Sequence, residues 1–216
     1  MADITSYRAR FQDARKAANY AARFADGSRR RIDRREQRAV QKIFGALAEC
    51  QSVLDVPAGA GRFAAALTQH NRRLIEMDAA LEILRHAERR ARQPGVPAAF
   101  VQGDAARLPL VNGAVDCIFC NRLLHHILVA EERAAILREF HRVSRRYVVV
   151  SFFDYRHFAA ARRLLKAFKG SKPRYEGQPT RAQFEGEVEG CGFRVRDVAL
   201  TGPAWIAQKY FVLEKA

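Results

Sequence analysis

Between Ser52 and Phe153 short apolar runs alternate with amphipathic segments of helical period, and this alternation limits the folds open to the chain more than any other feature. "SVLDV", "RLIEM", "AAFVQGD", "VDCIFCN" and "RYVVVSFF" have the length and apolar content of buried strands. Between them lie "RFAAALTQH", "AALEILRHAERRARQ" with Ala80, Leu84, Ala87 and Ala91 on one face, and "EERAAILREFHRV" with Ile136, Phe140 and Val143 on one side. Strands separated by helices of this length require right-handed crossovers and a parallel sheet covered on both faces. Two further runs, "GFRVRDVALT" and "QKYFVLEKA", predict an antiparallel hairpin that closes the sheet at its edge. The expectation is a doubly wound, mostly parallel α/β fold of seven strands.

The flanks have a different texture. Over residues 1–50, Tyr7, Phe11, Ala14 and Ala18 recur at helical spacing, "DGSRRRIDRRE" predicts a turn, and Asp33 with Glu36 has the spacing of a capping box ahead of the stripe Val40, Ile43, Phe44 and Leu47. Arg29, Arg30, Arg31, Arg34, Arg35 and Arg38 crowd around that expected turn, where an anion would meet both guanidinium forks and a helix dipole. After Phe153, Phe158, Ala161, Leu165 and Phe168 form an apolar stripe beside Arg162, Arg163, Lys166 and Lys169, which predicts a basic amphipathic helix followed by a loop. Thr180 and Gln183 then have capping-box spacing for a short helix. The domain reading is an N-terminal helical lid over 1–50 and a ligand-binding domain over 51–216, with 154–180 as a lid insertion.

Charge bounds the partners. The 216 residues carry a formal net charge of +15, which points to an anionic substrate, a polyanion or an anionic surface. No apolar run approaches the roughly 20 residues that span a bilayer, and the N-terminus lacks the apolar core of a secretory signal. A cytoplasmic protein is expected, with the inner membrane face as a second location for so basic a chain. Cys117 and Cys120 form a C-x-x-C inside an expected strand, where residues three apart point to opposite faces, so no metal site is expected there.

Ligands of open α/β sheets bind outside the carboxyl ends of the strands. The residues expected there are Asp55 with the turn Pro57, Ala58, Gly59, Ala60 and Gly61, then Asp78, Asp104 and Asn121. Gly59 and Gly61 permit positive φ or close backbone approach, and the following helix offers free N–H groups to an anionic group. Asp78 stands where it can accept hydrogen bonds from ribose hydroxyls. A carboxylate at Asp104 can accept from an adenine amino group, and that position separates this arrangement from a nicotinamide site.

With these residues in order, the chain resembles the class I S-adenosylmethionine-dependent methyltransferases, nearest the small-molecule group that includes quinone-biosynthesis enzymes. "VLDVPAGAGRF" resembles their first motif, "LIEMDAALEIL" their D-x-S-x-x-M-L segment, "FVQGDAARLPL" their adenine-binding motif and "VDCIFCNRLLHHI" their fourth-strand motif. The resemblance covers roughly residues 50–155 and implies a Rossmann-like fold with S-adenosylmethionine as cofactor and S-adenosylhomocysteine as product. It implies that Asp55 orients the turn and the methionine amino group, and that Pro57, Ala58, Gly59 and Gly61 form the turn. It further implies that Asp78 holds the ribose, Ala79 packs on adenine, Asp104 and the Ala105 backbone read the adenine edge, and Asn121 faces the methionine and the substrate. Pro57 replaces the usual first glycine, Ala58 a common cysteine, and Ala80 a frequent serine.

Methyl transfer from a sulfonium is an in-line displacement, and oxygen acceptors often need a base. His125, His126 and His157 are the candidates, all close past strand ends. Asn121 is followed by Arg122-Leu123-Leu124 rather than by a Pro-Pro-aromatic run, and no Pro-Cys pair is present, so methylation of adenine amino groups and of cytosine C5 is disfavoured. The expected acceptor is an anionic small molecule or a lipid-linked glycan or phosphate, held by the Arg29 to Arg38 cluster at a peripheral membrane contact. Structured RNA is the alternative acceptor. A cofactor-binding regulatory protein without turnover is the alternative of another class.

Overall fold

The computed structural model describes residues 12–24, 27–92, 96–154, 178–203 and 206–216. Its centre is a seven-stranded sheet of β1 (Ser52–Asp55), β2 (Arg73–Asp78), β3 (Ala98–Gln102), β4 (Val115–Cys120), β5 (Ser144–Phe153), β6 (Phe193–Leu200) and β7 (Gln208–Lys215), in the order β3-β2-β1-β4-β5-β7-β6. The first five strands run parallel, and the hairpin inserts β7 antiparallel between β5 and β6. The expected doubly wound fold with its closing hairpin is therefore the observed one. Strand order reverses between β1 and β4, which puts the switch-point crevice at their carboxyl ends.

The helices are α1 (Ala14–Ala22), α2 (Gly27–Ala46), α3 (Ala64–Leu67), α4 (Leu81–Arg92), α5 (Ala130–Val143) and α6 (Arg181–Gly190). One face of the sheet packs Ile118, Cys120, Val148 and Val150 against Ile136, Phe140 and Val143 of α5 and Phe184 and Val188 of α6. The other face packs Cys117, Phe119, Tyr147 and Val149 against Val40, Ile43, Phe44 and Leu47 of α2. Each such side chain, fully buried, contributes about 1.5–3 kcal/mol. Cys117 and Cys120 therefore lie in opposite layers, as alternation along a strand requires.

Two local expectations are corrected. The arginine-rich stretch is not a turn: α2 is continuous from Gly27 to Ala46 and carries the arginines on its exposed side. Asp33 and Glu36 are interior to that helix and are drawn inward by Arg62, so neither caps it. Arginine is a strong helix former, and inward ion pairing outweighed the turn signal. "RFAAALTQH" yields only the single turn α3 and a 3-10 turn at Gln69–Asn71. The capping box of Thr180 and Gln183 forms as expected at the start of α6.

The carboxyl end of α2 is pinned by Arg72, which is 1% exposed and donates to the carbonyls of Phe44, Leu47, Cys50 and Gln69. A cation at a helix C-terminus satisfies orphan carbonyls and favours the dipole. Among the described residues no helix is long and apolar enough to cross a membrane. The stripe from Phe158 to Phe168 lies outside the described residues.

Candidate active site

The turn after β1 depends on two left-handed glycines, Gly59 at φ +58° and Gly61 at φ +66°. A Cβ on Gly61 would come within 3.0 Å of Ala87 Cα and Cβ and of Glu76 Oε2, so only a glycine lets the turn lie against α4. The Gly59 amide donates to Asp78 Oδ2 and the Ala80 amide to Oδ1, both at 3.0 Å, and Asp78 thereby ties the turn to the end of β2. Pro57, joined to Val56 by a cis peptide bond, has no N–H to give. The amides on either side of it, Val56 and Ala58, donate to the carbonyls of Phe119 at 2.9 Å and Met77 at 2.8 Å.

An open cleft of about 850 Å³ lies over this turn. Of the expected cofactor residues, Pro57, Ala58, Gly59, Asp78, Ala79, Asp104, Ala105 and Asn121 line it. Asp104 Oδ1 accepts the Ala106 amide at 3.0 Å, which shapes the loop after β3. Asn121 Oδ1 accepts from the Tyr210 hydroxyl at 3.0 Å and from Gln208 Nε2 at 3.2 Å, so β7 fixes the orientation of the amide at the end of β4. Asp55 and Gly61 are not in the lining; Asp55 is 1% exposed and lies behind the turn.

The acids here share an uncommon environment. Asp55 and Glu76 face each other across paired parallel strands, and all four of their carboxyl oxygens are buried without a hydrogen-bond partner among the described residues. Burial, and then the charge of Glu76, hold the Asp55 carboxyl well above the usual carboxylate range. Burial pushes Glu76 up to about 8, opposed by Arg90 and reinforced by Asp78. Burial likewise raises Asp78 to about 6, opposed by the N–H groups of Ala80 and Gly59. Neither Asp55 nor Glu76 lines the cleft; burial behind the turn keeps the pair protonated rather than offering it to a ligand.

Comparison with known proteins agrees with this geometry. Residues 53–146 match the family described as methyltransferase domain. Over 100 residues, 44% of this chain and 38% of the relative, the sequence is 37% identical to the uncharacterized methyltransferase YcgJ of Bacillus subtilis. Over 100 residues, 46% of this chain and 36% of the relative, it is 28% identical to the malonyl-[acyl-carrier protein] O-methyltransferase of Hamiltonella defensa. The matched stretches thus span little more than a third of those relatives' lengths. Magnesium protoporphyrin IX methyltransferase from Synechocystis PCC 6803 with bound SAH superposes with a TM-score of 0.80 at 16% identity, covering 99% of this chain and 100% of that one. Over residues 53–146 the chain is thus similar to methyltransferase domains, and it has the fold of solved S-adenosylmethionine-dependent methyltransferases.

The residues expected to serve the acceptor are distributed differently from those expected to hold the cofactor. His125 stands apart from the main cleft, in a smaller cavity of about 260 Å³ with Phe153 and Phe184. Its ring lies 3.9 Å from that of His126 and 4.3 Å from that of Phe153. Burial, then the charges of His126 and Arg122, lower its pKa to about 2, so it is neutral throughout the physiological range and a poor proton acceptor. His126 is half-buried, and His157 lies outside the described residues. Arg29, Arg30, Arg31, Arg34, Arg35 and Arg38 are all exposed along α2, and none of them lines the cleft.

Several residues that line or back the cleft were not expected from the sequence. Tyr20 of α1 lines the cleft, and a Cβ on Gly59 would come within 3.6 Å of its ring. Ala17 of α1 packs with Ala60 of the turn and with Ala80 and Ile83. Arg62 and Phe63, directly after the glycine turn, also line the cleft. A charged residue opening the apolar run "RFAAAL" was the one signal pointing to Arg62; Tyr20 and Glu76 left none.

Proposed function

We propose that this protein transfers the methyl group of S-adenosylmethionine to an anionic small-molecule or lipid-linked acceptor. One observation carries the reading: carboxylates and an amide from the ends of three strands, Asp78, Asp104 and Asn121, converge on one cleft above a left-handed glycine turn. When bound, the cofactor supplies a methyl group on a positively charged sulfur.

The residues divide the work of holding it. Each oxygen of Asp78 already accepts one amide and keeps a lone pair for a ribose hydroxyl. Ala79 offers an apolar surface to adenine, and Asp104 accepts from its amino group. Asn121 faces the reacting side, held by Gln208 and Tyr210. The chain's contribution to rate is alignment of the acceptor and exclusion of water from the site. The neutral imidazole of His125 suits a packing role better than that of a base, which favours an acceptor that arrives already ionised.

Two further lines support the acceptor class. The formal charge of +15 favours anionic partners. The proteins resembled include enzymes named for malonyl-[acyl-carrier protein] and magnesium protoporphyrin IX. The exposed arginine row of α2 would meet an anionic headgroup, phosphate or membrane surface at the inner face of the membrane. The test is transfer of radiolabelled methyl from the cofactor into fractionated cell extract. Label is expected in the small-molecule or lipid fraction. Label in RNA would replace the acceptor, and cofactor binding without any transfer would favour a regulatory protein.

A further inference from the structure

Glu36 stands at a junction that the cofactor reading leaves unexplained. It lies on α2, is 1% exposed, and is surrounded by core residues of the same helix, Val40 among them. Its Oε2 accepts from Arg62 Nη2 at 2.7 Å, and its Oε1 accepts from Arg122 Nη2 at 2.5 Å and Nε at 3.0 Å. Arg62 directly follows the glycine turn, and Arg122 directly follows Asn121. One buried carboxylate therefore grips the two loops that follow β1 and β4 at the cleft.

The surroundings extend the grip to the N-terminal helices. Asp33, one turn before Glu36, also pairs with Arg62, so two carboxylates face two guanidinium groups and the local charge balances. The guanidinium of Arg62 lies 4.0 Å from the Phe24 ring centroid, and that of Arg122 lies 5.7 Å from it. Phe24 closes the segment after α1, the helix that places Tyr20 in the cleft. Arg122 continues the chain of contacts to Gln208 Oε1 at 3.1 Å, and Gln208 in turn bonds Asn121.

We infer that Glu36 is a positioning residue that locks α1 over the cleft by holding Arg62 and Arg122 together against Phe24, so that retaining the cofactor and shaping the acceptor side are one event. This rests on the reading of the cleft as the S-adenosylmethionine site. Glu36 is not itself in the lining; it acts through Arg62, which is, and through Arg122. Removing its charge leaves Arg62 buried with only Asp33 to balance it and frees Arg122 from the helix. The α1 segment then opens more often, and bound cofactor product escapes faster.

The experiment uses the full chain with S-adenosylhomocysteine as the probe, which avoids any need to know the acceptor. Dissociation rate and Kd are measured for the wild type and Glu36→Gln, together with amide hydrogen exchange over residues 14–46. In the wild type the probe should slow exchange across both helices. In Glu36→Gln the dissociation rate should rise about tenfold, with the association rate little changed and the exchange protection lost. Should Glu36→Gln not fold, Arg122→Lys keeps the charge but loses the two-pronged grip, and should raise the dissociation rate about threefold. A lower melting temperature with an unchanged dissociation rate and unchanged protection would overturn the lock and leave Glu36 a structural ion pair. No binding of the probe by the wild type would overturn the cofactor reading and the lock with it; unchanged binding by the variant overturns the lock alone.

Discussion

The two ends of the central strands treat their buried polar groups in opposite ways. At the amino end, Asp116 opens β4 and accepts from the amides of Gln51 and Ser52, from the Ser52 hydroxyl and from Arg145. Burial works to raise its pKa, but the Ser52 hydroxyl, Arg145 and the two amides outweigh it and leave the carboxyl below its usual range. Arg72 on the same edge satisfies four carbonyls. At the carboxyl end, Asp55 and Glu76 sit on paired strands with no donor at all among the described residues, and both are raised. Folding alone favours the first arrangement, because an unmet buried acceptor costs about 1–3 kcal/mol. The raised pKa values keep the second pair protonated and so avoid burying two charges.

That contrast can be broken from either side. The largest effect is expected from Gly61→Val, which forces a β-branched residue to positive φ and into Ala87 and Glu76; it should cost about 3 kcal/mol or more in urea unfolding and abolish binding of S-adenosylhomocysteine. Next comes Glu76→Gln. The folded chain retains a proton on Glu76 up to about pH 8, whereas the unfolded chain releases it near 4.5, as an ordinary glutamate does. Its stabilising contribution is therefore complete below pH 4.5 and is lost as pH rises through about 8. Glu76→Gln should remove that slope and, by urea unfolding at pH 8.5, gain about 2–4 kcal/mol over the wild type.

A smaller effect belongs to Asp78, whose pKa is raised to about 6. In the proposed role at the ribose only the carboxylate serves, so the affinity for S-adenosylhomocysteine should fall by up to tenfold per pH unit below about 6. A flat titration calorimetry profile between pH 7 and 5 would remove Asp78 from the site. The smallest effect is expected at the amino end, where Asp116→Asn should cost about 1 kcal/mol or less, since solvent screens the half-exposed pair and the amide can still accept. Cofactor binding should not change in that variant.

The fold was readable because strand and helix periods alternate cleanly from Ser52 to Phe153, and the hairpin because no helix separates its two runs. Asp78, Asp104 and Asn121 were readable for a related reason: each closes an apolar run, and a strand that ends at a polar residue puts that residue at the rim. The residues that escaped depend on contacts between distant parts of the chain. Glu36 and Asp33 have the spacing of a cap, and only the position of Arg62 turns them inward. Glu76 is the one acid inside its apolar run, read as a buried strand, and only its pairing with Asp55 of β1 shows that its carboxyl is buried without a donor among the described residues. The arginines of α2 suggested a turn through their density, while a helix accommodates them by leaving that side in water.

The central claim is that the carboxyl end of the sheet is an S-adenosylmethionine site organised by Asp78. Titration of S-adenosylhomocysteine into the wild type and Asp78→Ala at pH 7.5, with folding of both checked by thermal melting, tests it most directly. The account predicts binding by the wild type and at least a hundredfold loss in the variant, about 3 kcal/mol for two hydrogen bonds to a charged acceptor. Equal affinity in two folded proteins would contradict it.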